Sequence, residues 1–211
     1  LRNALKLVKK DLSKTTIVLS GAGAAGTAIA RLLVLAGAKN IIGFDSNGVI
    51  NKKSAAQNDM RKWFVENCNP HQFDGTLSEA LKGADVFIGV SAPNVVSESD
   101  VESMAKDSIV FALANPDPEI DPVLARKHAA VVATGRSDQP NQINNVLAFP
   151  GIFRGLLDAG ASKITDELLV ACADAIASCV SEQQLNASFI VPSVFDPNVV
   201  KAVADAVKRC C

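Results

Sequence analysis

Three closely spaced glycines constrain this chain most, because they lie where an apolar run meets an alanine-rich segment. Residues 15–20 are mostly β-branched and apolar, which predicts a strand, and residues 24–37 predict a helix that Gly37 closes. Gly21, Gly23 and Gly26 span the junction with Gly-x-Gly-x-x-Gly spacing. Such a strand–turn–helix corner presents main-chain N–H groups and a helix N-terminus to a diphosphate.

The rest of the chain alternates apolar runs with helical stretches, which is typical of parallel strands joined by helical crossovers. Further strands are predicted at 40–45, 85–90, 109–113 and 130–134. Helices are predicted at 1–10, 54–67, 78–81, 101–105, 122–128, 151–159, 166–180 and 197–209. About five strands around one core over residues 1–211 indicate a single α/β domain. We expect a doubly wound, mostly parallel Rossmann-type sheet with flanking helices and a helical C-terminal part.

Asp45 extends the glycine turn into a dinucleotide-binding pattern. It closes the second predicted strand, 19 residues after Gly26, where an acid meets the adenosine ribose hydroxyls. Because a carboxylate there repels a 2′-phosphate, NAD is expected in preference to NADP. Asp45 could instead be an ordinary strand-end acid, and the nearby Lys52 and Lys53 could still serve a phosphate.

Composition argues against several other classes of function. Lysine and arginine number 21 against 22 acidic residues, so the chain lacks the basic footprint of a nucleic-acid binder. Its apolar runs are too short to span a bilayer, and no secretory signal is visible at the N-terminus. We therefore expect a cytoplasmic protein with no nucleic-acid or membrane partner.

The predicted strand ends carry polar residues that indicate one shared crevice. Ser91-Ala92 and Asn115 follow two strands, and the polar segment 135–145 follows the last one. Carboxamides in that segment can orient a carboxylate or an amide without adding charge, although Asn144 and Asn145 could simply cap the next helix.

Two charged groups near these ends leave alternatives open. Arg136 could grip a substrate carboxylate or pair with Asp138. The acids Asp117, Glu119 and Asp121 could suggest a metal, but a solvated loop with helix caps is the favoured interpretation.

Several stretches together resemble the cofactor domain of bacterial-type malic enzymes. They are residues 21–26, 84–91, 111–119, 133–138 and, most specifically, the run from Asn141 to Gly151. The resemblance implies oxidative decarboxylation of L-malate to pyruvate and CO₂, with NAD reduced and Mg²⁺ or Mn²⁺ bound in the complete, homo-oligomeric enzyme. It places Asn115 and Asn145 on malate and Asn144 on the nicotinamide side. With the glycine motif, the expected cofactor residues are Gly21, Gly23, Ala24, Ala25, Gly26, Asp45, Ser91, Ala92 and Asn144.

The same resemblance implies that the catalytic residues lie in another domain of the enzyme. In the family a tyrosine acid, a lysine base and the metal-binding carboxylates come from a preceding domain, whereas this chain contains no tyrosine. No catalytic or metal-binding residue is therefore assigned here, and the chain alone is expected to bind NAD without turning over malate. The alternatives are a stand-alone NAD-binding or sensor module and the cofactor domain of another amino-acid or folate-type dehydrogenase. The run from Asn144 to Gly151 argues against the latter.

Overall fold

A six-stranded sheet forms the centre of the protein in a computed structural model that describes residues 1–54 and 58–211. The strands are β1 (Thr16–Ser20), β2 (Asn40–Asp45), β3 (Gly48–Val49), β4 (Val86–Gly89), β5 (Ile109–Ala112) and β6 (Val131–Thr134). Their order is β3-β2-β1-β4-β5-β6, and all neighbours are parallel except β3, which pairs antiparallel with β2. This order reverses direction between β1 and β4, as in a doubly wound fold.

Helices connect the strands and cover both faces of the sheet. They are α1 (Arg2–Val8), α2 (Ala24–Leu35), α3 (Asp59–Asn67), α4 (Leu77–Leu81), α5 (Glu98–Glu102), α6 (Pro122–Ala125), α7 (Phe149–Ala159), α8 (Asp166–Ser178) and α9 (Pro197–Cys210). Two 3₁₀ turns lie at Leu12–Lys14 and Asn145–Leu147. None of the helices in the described ranges combines the length and hydropathy of a membrane-spanning segment.

Side chains of the strands alternate between two apolar cores. Ile17 and Leu19 of β1 pack on the face that also buries Phe64 of α3. Val18 between them packs on the opposite face, with Leu81 of α4. Burial on both faces explains why the strands are short and almost continuously apolar.

The predicted fold class is confirmed, and the strand count is wrong by one. β3 was not predicted because it is only two residues long and follows β2 directly. Helix α3 begins at Asp59 rather than at residue 54, because the Asn58 side chain accepts a hydrogen bond from the Arg61 N–H and caps the helix. Residues 55–57 of that predicted helix lie outside the described residues. Helix α5 begins earlier than predicted because Ser97 and Asp100 form a capping box.

The C-terminal helices pack closely because α7 presents two glycines to α9. A Cβ atom on Gly151 would lie 2.5 Å from Cβ of Val203, and one on Gly155 would lie 2.5 Å from Cβ of Val207. Val203 and Val207 are fully buried. The two helix backbones therefore approach each other at a distance that only glycine allows on the α7 side.

Replacing Gly155 with alanine is expected to lower the free energy of unfolding by about 1–3 kcal/mol, because the added methyl overpacks the contact with Val207. This loss should occur although alanine favours helices by about 1 kcal/mol over glycine. Urea denaturation followed by circular dichroism measures it. The matched control is Arg154→Ala on the exposed side of α7, where loss of the ion pair with Asp158 should cost less than about 0.5 kcal/mol. A Gly155→Ala chain as stable as wild type would contradict the packing argument.

Candidate functional site

The glycine-rich turn lies at the point where the sheet order reverses. Gly21 has φ +103°, and a Cβ there would lie 2.5 Å from the carbonyl oxygen of Val90, in the connection after β4. A Cβ on Gly26 would overlap the carbonyl oxygen of Gly21 and lie 3.0 Å from Cδ2 of Leu19. Gly21 and Gly26 are therefore required by the packing of α2 and the β4 connection against β1.

Gly23 differs from the other two glycines because it faces open space. Beyond its own neighbours in the chain, a Cβ on Gly23 would meet no described atom within 4 Å. Gly23 is the N-cap of α2, and it and the next two residues, Ala24 and Ala25, are exposed. The first N–H groups of a helix lack intrahelical acceptors, so the exposed corner offers donors and a partial positive charge. This cradle fits a diphosphate and would be filled by any larger side chain.

Asp45 ends β2 beside this turn and forms an ion pair. Its Oδ1 atom accepts a hydrogen bond of 2.8 Å from the Asn47 N–H, and its Oδ2 atom contacts the guanidinium of Arg61 from α3. Arg61 is only 8% exposed, and its Nε atom has no hydrogen-bond partner among the described residues. Asp45 is thus held in place by a buried cation, which sequence reasoning missed because nothing in the spacing links residues 45 and 61.

An open cavity of about 460 Å³ adjoins this ion pair. Arg61, Asn47 and Lys53 line it. The Lys53 ammonium donates a hydrogen bond of 2.7 Å to Asp74, and this contact raises the pKa of Lys53. One of the two lysines considered for a phosphate is therefore engaged with an acid.

Ser91, on the other side of the reversal point, is joined to β1 and to a buried carboxylate. The hydroxyls of Ser91 and Ser20 are 2.9 Å apart. The N–H of Ser91 donates to Oε1 of Glu119 at 2.8 Å, and the N–H of Ala114 donates to Oε2 at 3.0 Å. Glu119 is 0% exposed, so the prediction that it lies in a solvated loop is wrong. Hydrogen bonds from these two backbone N–H groups, which follow the ends of β4 and β5, compensate for the burial of the carboxylate.

The other two acids of that loop do not build a metal centre with Glu119. Asp121 caps α6 by accepting a hydrogen bond of 2.7 Å from the Val123 N–H. Within residues 1–54 and 58–211, no three His, Cys, Asp or Glu side chains come close enough to hold a metal ion.

The asparagines of the predicted crevice differ in their surroundings. Asn115, which follows β5, is exposed, and so is Asn145 in the segment after β6. Asn144 is half-buried. The Asn144 side chain accepts a hydrogen bond of 3.1 Å from the Val146 N–H, so it caps the 3₁₀ turn at Asn145–Leu147. An asparagine side chain has an acceptor oxygen and an NH₂ donor. Capping uses only the oxygen of Asn144, so its NH₂ group can still donate to a ligand.

Asn141 is buried, and its carboxamide contacts the backbone. Its Nδ2 atom donates to the carbonyls of Val132 and Ala187 at 2.9 and 2.8 Å, and its Oδ1 atom accepts from the Ile190 N–H at 2.9 Å. Asn141 thus ties the segment that carries Asn144 and Asn145 to β6 and to the chain before α9. Sequence reasoning grouped it with the crevice residues because a buried and an exposed carboxamide look alike in a polar stretch.

Arg136 forms the internal pair that was one of its two predicted roles. Its Nε and Nη2 atoms donate to the two oxygens of Asp138 at 2.8 and 2.7 Å. These hydrogen bonds lower the pKa of Asp138 to about 2. The guanidinium is therefore already occupied by a carboxylate of this chain.

Comparison with known proteins adds independent findings to this geometry. The family model described as malic enzyme, NAD binding domain, matches residues 1–211. An NAD-dependent malic enzyme of Geobacillus stearothermophilus is 53% identical over 207 residues, which are 98% of this chain and 43% of that protein. A bifunctional malic/malolactic enzyme of Bacillus subtilis is 49% identical, over 98% of this chain and 51% of that protein.

Solved structures give the same result. The crystal structure of an NAD-dependent malic enzyme from Thermotoga maritima superposes with a TM-score of 0.91 at 42% identity. The match covers 98% of this chain and 55% of that one. The chain therefore spans about half the length of the relatives it matches.

Proposed function

Because this chain belongs to the malic enzyme NAD-binding domain family, we propose that it is the cofactor half of an enzyme that converts L-malate to pyruvate and CO₂ with reduction of NAD. The open cradle at Gly23 is the single observation that carries this proposal, since a Cβ there would meet no described atom within 4 Å. The names of the relatives, NAD-dependent malic enzyme and bifunctional malic/malolactic enzyme, support the choice of substrate.

NAD, when bound, supplies the hydride acceptor. The residues of this chain bind and orient the cofactor and malate. We assign the diphosphate to the N–H groups of the turn from Gly21 to Gly26, including Ala24 and Ala25, and the adenosine ribose to Asp45. Ser91, Ala92 and Asn144 are assigned to the nicotinamide half. This division follows from the sheet order, because the acid at the end of β2 fixes the adenosine side and β4 lies on the other side of β1.

Asn115 and Asn145 are assigned to malate. Both are exposed at the carboxyl edge of the sheet, where ligands of open α/β folds lie. Neutral carboxamides can hydrogen-bond the carboxylates of malate while leaving pyruvate free to depart, because they add no opposing charge. Malate is thereby oriented toward the nicotinamide side of the crevice.

The proton-transfer groups and the metal belong, in this proposal, to the remainder of the enzyme. The chain has no tyrosine, and its described residues do not form a metal cluster. We propose that residues outside 1–211 hold Mg²⁺ or Mn²⁺ in the complete enzyme. We also propose that residues 1–211 act as one domain of a cytoplasmic homo-oligomer with no nucleic-acid or membrane partner. The net charge of −1 supports the absence of a nucleic-acid partner.

Calorimetric titration of the chain with NAD⁺ and, separately, with NADP⁺ tests the proposal. We expect saturable NAD⁺ binding, weaker NADP⁺ binding and no rise in NADH absorbance when L-malate and Mg²⁺ are added. No association at millimolar NAD⁺ with folded protein would overturn the proposal. Malate-dependent NADH formation by the chain alone would contradict the assignment of catalysis to another part of the enzyme.

Asn145→Ala gives a second test, in a complete malic enzyme that carries this chain. We expect the KM for malate to rise about tenfold, because one hydrogen bond to a substrate carboxylate is lost. NAD affinity should be unchanged. The matched control is Asn67→Ala, an exposed carboxamide at the end of α3, remote from the carboxyl edge. An unchanged KM for malate would remove Asn145 from the substrate site.

A further inference from the structure

Glu119 stands out because it is a fully buried acid to which the proposed function gives no task. It lies in the loop between β5 and α6 and is 0% exposed. Burying a carboxylate is costly unless hydrogen bonds compensate for the lost water. The position of its two oxygens therefore has to be explained by the groups they contact.

Both oxygens of Glu119 accept hydrogen bonds from the ends of neighbouring strands. Oε1 accepts from the N–H of Ser91 at 2.8 Å and from its hydroxyl at 3.2 Å. Oε2 accepts from the N–H of Ala114 at 3.0 Å. One side chain thus links the connection after β4 to the connection after β5.

The β4 side of this link continues to the glycine-rich turn. Gly21 packs on the carbonyl of Val90, and the Ser91 hydroxyl meets that of Ser20. The β5 side continues to Asn115, the residue after Ala114. A backbone hydrogen bond joins the same two connections, because the Val96 N–H donates to the Glu119 carbonyl at 3.0 Å.

Gly89 leaves space for the Glu119 carboxylate because it has no side chain. A Cβ on Gly89 would overlap the Glu119 carboxyl and lie 2.6 Å from Oε1. The glycine at the end of β4 therefore leaves room for the Glu119 side chain to reach Ser91.

We propose that Glu119 is the positioning residue that sets the nicotinamide-side connection after β4 against the substrate-side connection after β5. This inference rests on the proposed function, because Ser91, Ala92 and Asn115 have ligand roles only there. Glu119 itself touches neither ligand. It fixes the distance between the loop that holds the cofactor and the loop that holds malate.

Glu119→Gln tests the proposal with almost no change in volume. The N–H groups of Ser91 and Ala114 face different oxygens of Glu119, so in the carboxamide one of them would face an NH₂ donor, and one connection is released. Two probes separate the halves of the site: NAD⁺ spans it, whereas ADP reaches only the glycine turn and the ribose acid. We expect calorimetry to show NAD⁺ affinity about tenfold weaker and ADP affinity within about twofold of wild type.

The matched control is Asp121→Asn, in the same loop. Asp121 caps α6 and does not bridge the strand ends, and asparagine caps a helix equally well, so both affinities should stay within about twofold. Unchanged NAD⁺ affinity in Glu119→Gln, or equal weakening of NAD⁺ and ADP, would overturn the inference, the second because it indicates general damage. If Glu119→Gln does not fold, Glu119→Asp carries the same test, since it keeps both oxygens but is one methylene too short to reach both amides.

Binding by the wild-type chain distinguishes failure of the proposed function from failure of the role proposed for Glu119. If the folded wild-type chain binds neither NAD⁺ nor ADP, the proposed function fails and this inference fails with it. If it binds both probes and Glu119→Gln behaves as wild type, only the role of Glu119 is wrong.

Discussion

Replacing Gly23 with alanine is expected to abolish NAD binding while leaving the chain folded. The added methyl would occupy the open side of the turn, where no described atom lies within 4 Å, and would push a diphosphate away from the first N–H groups of α2. Losing two charge-assisted hydrogen bonds weakens affinity by at least about a hundredfold. The backbone of Gly23 is extended, with φ −87° and ψ −154°, so alanine needs no left-handed conformation there, and the poorer N-cap should lower the free energy of unfolding by about 1 kcal/mol.

Gly26→Ala is the contrasting variant. Its Cβ would overlap the carbonyl oxygen of Gly21, so the helix must move away from β1 and both stability and binding should fall. Calorimetry with NAD⁺ and urea denaturation measured on both variants separate the two effects. A Gly23→Ala chain that binds NAD⁺ as tightly as wild type would contradict the diphosphate assignment.

Asp45→Asn is expected to change the choice of cofactor. The carboxamide keeps an oxygen for the Asn47 N–H but removes the charge that repels a 2′-phosphate. It also leaves the buried guanidinium of Arg61 without its anion. We expect NAD⁺ affinity to fall about tenfold and NADP⁺ affinity to rise about tenfold at low ionic strength, with the gain fading as salt increases.

The control for this change is the double variant Asp45→Asn with Arg61→Gln. It should lose NAD⁺ affinity to the same extent without gaining NADP⁺ affinity, because the cation that would attract the phosphate is absent. Fluorescence titrations of both variants with both cofactors at two salt concentrations measure these changes. An unchanged ratio of NAD⁺ to NADP⁺ affinity in Asp45→Asn would mean that Asp45 is an ordinary strand-end acid.

The sheet could be predicted from the sequence because its strands are buried on both faces. Residues 40–45 form β2 as predicted, and the other predicted strands agree to within a residue at each end. Short helices were placed less well because local hydrogen bonds, not apolar periodicity, set their starts. The capping box at Ser97 and the cap at Asn58 are examples.

At the candidate site, sequence reasoning identified the exposed parts and missed their supports. The glycine spacing describes one continuous turn, so its place between β1 and α2 could be predicted. Glu119, Arg61 and Asn141 act through contacts with residues distant in sequence, and no local pattern encodes such contacts. Glu119 in particular stands between Pro118 and Ile120, and the acids Asp117 and Asp121 two residues away on either side suggest a solvent-exposed loop rather than burial.

The anchoring of Asn141 has a practical consequence for anyone who wishes to shorten this domain. The carboxamide of Asn141 binds the carbonyl of Ala187 and the N–H of Ile190, far beyond the last strand. A version that ends shortly after Asn145 would keep Gly21, Gly23, Gly26 and Asp45, but Asn144 and Asn145 would lose the anchor that Asn141 provides. We therefore expect residues 187–190 to be needed to keep Asn144 and Asn145 at the carboxyl edge of the sheet.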